Sequence, residues 1–192
     1  DEARTPLLRG YAAAVGFAQA QLLSAADTDS REASFGAARR FCERLEALPV
    51  GEFVTFCGGW VKPPQGHAIM YCIERTSADT FAWVIVNTGE GQQYHPASWH
   101  YDSEDSAAGP RTRARSAVRI EAIRSEKLID EVFFYVLLRL RARMDKLHTP
   151  EVLYEVLIPY LTDKTLLEAF ADEERAHPSL QGNLETSQRA GT

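Results

Sequence analysis

Gly66-His67-Ala68-Ile69-Met70-Tyr71-Cys72-Ile73-Glu74 and Thr80-Phe81-Ala82-Trp83-Val84-Ile85-Val86-Asn87 stand on either side of the polar link Arg75-Thr76-Ser77-Ala78-Asp79. Both flanks are rich in β-branched and aromatic residues, and the link has hairpin length. They predict two antiparallel strands, Ala68 to Glu74 and Thr80 to Val86. Another β-rich run, Glu52 to Cys57, comes before them, and alternating Val118 and Ile120 mark a further strand over Ser116 to Ile123.

Outward from this sheet the period changes to 3.6. Leu7, Leu8, Tyr11, Val15, Ala18, Leu22 and Leu23 place a buried helix over Pro6 to Ala26. Ser34 is placed to cap a second helix that carries Phe35, Ala38, Phe41, Cys42 and Leu45 on one face and closes at Pro49. After the sheet, helices are expected from Ser125 to about Leu147, from Pro150 to Leu161 with Thr149 as cap, and from Lys164 to Ala176. The fold class is therefore α+β, a small, mostly antiparallel sheet with two helices before it and three after it. One domain covers 1–177: 1–48 helical, 49–123 sheet and 124–177 helical. Residues 178–192 read as a disordered tail.

Two breaker-rich stretches, Gly58 to Gly66 and Thr88 to Gly91, read as loops at strand ends, and Asp102 to Arg115 as an exposed loop. The apolar run Val132 to Leu138 spans seven residues. A membrane span needs about 18 to 20. The run is expected as a core helix apolar all round, returned to solvent by Arg139, Arg141 and Arg143.

The 192 residues carry 45% hydrophobic and 25% charged residues, with 21 Lys and Arg against 27 Asp and Glu. That suffices for one domain with a real core, and the net charge of -6 lacks the basic balance of a nucleic-acid binder. The basic group Arg111, Arg113, Arg115 and Arg119 reads as a solvated strand edge. Three cysteines fit a reducing compartment, so a cytoplasmic location is expected, with neither nucleic acid nor membrane as partner. The chain begins at Asp1, which suggests a piece of a longer protein.

Chemistry concentrates at one end of the predicted hairpin. A hairpin brings the start of one strand beside the end of the next, so His67 and Asn87, twenty positions apart, can meet. An asparagine oxygen that accepts from one imidazole nitrogen fixes the tautomer and leaves the other nitrogen as a base toward a thiol or hydroxyl. A structural reading stands beside this one: a histidine after glycine can cap a strand, and Asn-Thr-Gly is a common turn former.

Gly66-His67-Ala68, followed by a strand ending at Asn87 and a glycine-containing loop, resembles the papain-like cysteine peptidase superfamily, calpains included. The resemblance covers roughly Gly58 to Gly91. It implies that His67 is a general base, that Asn87 orients it, and that the nucleophile sits at the N-terminus of a preceding helix. There Ala33-Ser34-Phe35-Gly36-Ala37-Ala38 places Ser34 where the superfamily has cysteine, which makes this a divergent or inactive member. Such a chain would serve as a protein-interaction or regulatory module of a larger protein.

Cys57, Cys42 and Cys72 compete for the nucleophile's role. Cys57, at a strand end before two glycines, is the best placed, whereas Cys42 lies on an apolar helix face and Cys72 in mid-strand. An active hydrolase of peptide or isopeptide bonds using Cys57, Cys42 or Ser34 is the alternative. A zinc site drawn from Cys57, His67, Cys72, His95 and His100 lacks the paired short spacings of structural zinc, so no metal and no cofactor is expected. Trp60, Tyr94, His95 and Trp99 form an aromatic group that could line a peptide groove beside His67, or pack the loop onto the sheet as a second small core.

Overall fold

The computed structural model describes residues 31–62, 65–100, 111–142 and 149–176. The expected helix Pro6 to Ala26 and the tail 178–192 lie outside the described residues. The described part is α+β. Helix α1 (Arg31–Glu46) leads into strands β1 (Phe53–Lys62), β2 (Gln65–Arg75) and β3 (Thr80–Val86). Strands β4 (Ala97–His100), β5 (Arg111–Ala114) and β6 (Ala117–Arg124) follow. Helices α2 (Ser125–Leu128) and α3 (Glu131–Ala142), a π-helical segment Val152–Leu157 running into α4 (Ile158–Thr162), and α5 (Leu166–Ala176) complete it.

The main sheet has the order β1-β2-β3-β6, every neighbour antiparallel, and β4 pairs with β5 in a separate two-stranded ribbon. Directly opposed residues of an antiparallel pair point to the same face. Register then sorts the side chains. Val54, Phe56 and Trp60 of β1 share a face with Ile69, Tyr71 and Ile73 of β2, with Phe81, Trp83 and Ile85 of β3, and with Val118 and Ile120 of β6. All of these are buried. Helices α1 and α3 cover them through Phe41, Leu45, Phe133, Phe134, Leu137 and Leu138, which form one core with the sheet. The opposite face is polar in part: Arg119 pairs with Glu74 at 2.8 Å and with Glu121 at 2.6 Å.

Four local expectations need correction. Gly58-Gly59-Trp60 is strand, not loop, because β1 stays paired as far as Lys62 and Trp60 lies opposite His67. Gly59 makes this possible: its φ is +117°, and a Cβ there would fall 1.9 Å from the His67 carbonyl oxygen. The end of the expected loop Asp102 to Arg115 is likewise strand, since Arg111–Ala114 pairs with Ala97–His100. The helix expected from Ser125 to about Leu147 breaks at Ile129-Asp130, where the Asp130 carboxylate accepts the Val132 amide at 2.7 Å and caps α3. Finally, Val132 to Leu138 is not apolar to the core all round. Val132 is 58% exposed, while Phe133, Phe134, Leu137 and Leu138 are buried.

Candidate functional site

β2 and β3 pair Met70 with Val86, so Asn87 continues the register opposite Ile69 and sits diagonally from His67 on the core face. The side chains meet there. His67 Nε2 and Asn87 Oδ1 are 2.7 Å apart. The turn after β3 holds the asparagine from below: the Gly89 amide donates to Oδ1 at 3.0 Å, and Nδ2 donates to the Glu90 carbonyl at 2.8 Å. Trp60 packs on the imidazole with ring centres 5.2 Å apart and donates from Nε1 to the Glu90 carboxylate at 2.7 Å. Gly89 also lies against the ring, for a Cβ there would be 2.5 Å from His67 Cε1.

From the other side the π-helical segment delivers Tyr154. Its hydroxyl lies 3.1 Å from Asn87 Nδ2 and 2.7 Å from His95 Nε2, and His95 Nδ1 is 2.7 Å from the Arg115 carbonyl. Burial pushes the Tyr154 phenol up to about 12, against the hydrogen bond from Asn87. Burial also pushes His95 down to about 4, against the bond to the Arg115 carbonyl, which favours the charged ring. Sequence reasoning found His67 and Asn87 but missed Tyr154. A one-turn π-helix is a common mark of functional sites, yet it leaves no pattern in Val152-Leu153-Tyr154-Glu155 that spacing rules detect.

The remaining candidates fall elsewhere. Ser34 is not the cap expected of it: α1 already runs from Arg31, and Ser34 is fully buried as its fourth residue. The C-terminal end of the helix is tied to Arg75, whose guanidinium donates to the carbonyls of Glu46 and Leu48, and the Phe41 ring lies 5.0 Å from Phe56, opposite Tyr71. The start of α1 itself packs on α3, where the rings of Phe35 and Tyr135 stack 4.1 Å apart.

No thiol takes the place of Ser34. Cys57 and Cys72 belong to the opposite face of the sheet, since Cys57 pairs with Met70 and Thr55 with Cys72. Cys42 is buried two turns deeper in α1 than Ser34, and burial pushes its thiol up to about 12. The two faces of the sheet also divide the zinc candidates, with Cys57 and Cys72 on one and His67 on the other. No group of three or more metal-ligating residues occurs among the described residues.

Of the aromatic group, Trp60 and His95 are buried with their polar atoms engaged, and Tyr94 stacks on Tyr154 at 4.9 Å and donates to Glu155 at 3.0 Å. These contacts pack the loop onto the sheet, and Tyr94 and His95 also line a cavity of about 360 Å³ with Leu166, Leu167 and Phe170 of α5. The Trp99 side chain, like that of His100, lies outside the described residues. No described helix is long and apolar enough to cross a membrane. Compared with protein families, curated proteins and solved structures, the chain matches none.

Proposed function

We propose that this chain is a papain-like peptidase-related domain that keeps the histidine and asparagine half of the site without a cysteine to serve it. It then works as a protein-interaction or regulatory module of a larger cytoplasmic protein. The observation that carries the reading is the 2.7 Å contact between His67 Nε2 and Asn87 Oδ1, on a sheet face that neither Cys57 nor Cys72 shares. A base of this kind needs an acidic partner at its other nitrogen. By the resemblance that partner would come from the start of α1, where Ser34 has a hydroxyl that ionises far less readily than a thiol and is sealed in the core.

Alkylation of the three cysteines by iodoacetamide at several pH values, followed by mass spectrometry, tests this on the native chain and on His67→Ala. Cys57 should react at the rate of an ordinary exposed thiol, Cys42 should be protected, and His67→Ala should change neither. A thiol that reacts far faster than free cysteine, and slows when His67 is removed, would replace this reading with an active cysteine hydrolase.

A further inference from the structure

Two backbone groups decide which way the Asn87 amide faces. The Gly89 N–H can only donate and meets Oδ1; the Glu90 carbonyl can only accept and meets Nδ2. The amide oxygen therefore faces His67, and His67 must donate to it from Nε2. In the neutral ring the lone pair is then on Nδ1. The second Nδ2 hydrogen goes to Tyr154, so the tyrosine oxygen accepts there and turns its own hydrogen to His95 Nε2. His95 accepts at Nε2, carries its hydrogen on Nδ1 and donates it to the Arg115 carbonyl. One placement of hydrogens satisfies all six contacts.

From this order we propose that Tyr154 and His95 are positioning residues of the His67 site: they complete a one-directional chain of donors that presents His67 Nδ1 as the basic atom. The inference rests on His67 and Asn87 being the working end of the site. Each donor in such a chain strengthens the next. Tyr154 giving its hydrogen to His95 becomes a better acceptor for Asn87 Nδ2, and Asn87 Oδ1 in turn a better acceptor for a protonated His67. Neither Tyr154 nor His95 touches the Nδ1 side of that ring, so their effect is read through His67.

Long-range proton–nitrogen NMR spectra of the full chain labelled with 15N-histidine, recorded from pH 5 to 8, test the arrangement. The native protein should show opposite tautomers, His67 protonated on Nε2 and His95 on Nδ1, the form that free imidazole disfavours. Tyr154→Phe and His95→Leu should each interrupt the chain, seen as a shift of the His67 Nε2 resonance at neutral pH. His95→Gln, whose side-chain oxygen still accepts from tyrosine, should return it to the native position. Finding His95 protonated on Nε2 in the native chain, or His67 ring-nitrogen resonances that none of the variants moves, would overturn the inference. The native tautomers decide even if a variant fails to fold. No thiol is read in these spectra, so the outcome is separate from that of the alkylation experiment.

Discussion

His95 takes the cost of its burial into the pH dependence of stability. Its ordinary value is 6.5 and burial lowers it to about 4, so between these values the unfolded chain binds the proton and the folded chain does not. The groups facing the ring are the Tyr154 hydroxyl from the π-helical segment, the Phe170 ring from α5 and the Arg115 carbonyl. His95 therefore contributes fully above about pH 6.5, and its contribution is lost as the pH falls toward 4, by about 3 kcal/mol in all. Urea unfolding measured at pH 7 and at pH 4.5 should show the loss, and His95→Gln should flatten it. A second residue-scale prediction concerns Gly89. An alanine Cβ would press on His67 Cε1 at 2.5 Å and Nδ1 at 3.1 Å, so Gly89→Ala must tilt the imidazole away from Asn87. The His67 ring resonances should shift, at a stability cost of about 1 to 3 kcal/mol.

At the scale of elements, Phe41 joins α1 to both the sheet and α3, beside the tie that Arg75 makes to the end of the helix. Phe41 is fully buried and lies 5.0 Å from Phe56 of β1 and 5.3 Å from Phe134 of α3. Phe41→Ala should cost about 3 to 5 kcal/mol in chemical unfolding, because the stack cannot close over the void. Strand β1 depends in the same way on Gly59. Gly59→Ala would set a Cβ against the backbone of His67 and should disrupt the pairing that brings Trp60 over the imidazole, seen as faster amide exchange from Gly58 to Val61. Helix α5 shows a signal that sequence reading could have used. Thr165 and Glu168 form a reciprocal cap, with the Thr165 amide donating to the Glu168 carboxylate at 2.9 Å. It fixes the start of the helix, two residues after the Lys164 taken from periodicity.

For the molecule as a whole, the sheet is a partition. His67 and Asn87 are on one face, and Cys57 and Cys72 on the other. Ser34 is enclosed between α1 and the rest of the core, so a cysteine put there should share the protection of Cys42. Ser34→Cys is expected to resist alkylation in the native state and to react only on unfolding, whereas Cys57 reacts throughout. Equal labelling of the cysteine of Ser34→Cys and Cys57 in the native state would show that the start of α1 opens to solvent.

The sequence by itself determined the fold class, because a period of 2 over Ala68 to Glu74 and Thr80 to Val86 and a period of 3.6 outside them admit few other arrangements. It also placed His67 and Asn87 at one end of the hairpin, where they can meet, since a short link fixes which residues share an end; the 2.7 Å contact itself came from the structure. Three things needed the tertiary structure. The Cys57 side was open in sequence because the register of β1 against β2 depends on a positive-φ Gly59 that reads locally as a loop. The roles of Trp60 and His95 were open because the same aromatic residue can line a groove or fill a core, and only the packing partners decide. Tyr154 was invisible because it reaches Asn87 from 67 positions away, through a π-helical segment that no local spacing rule marks.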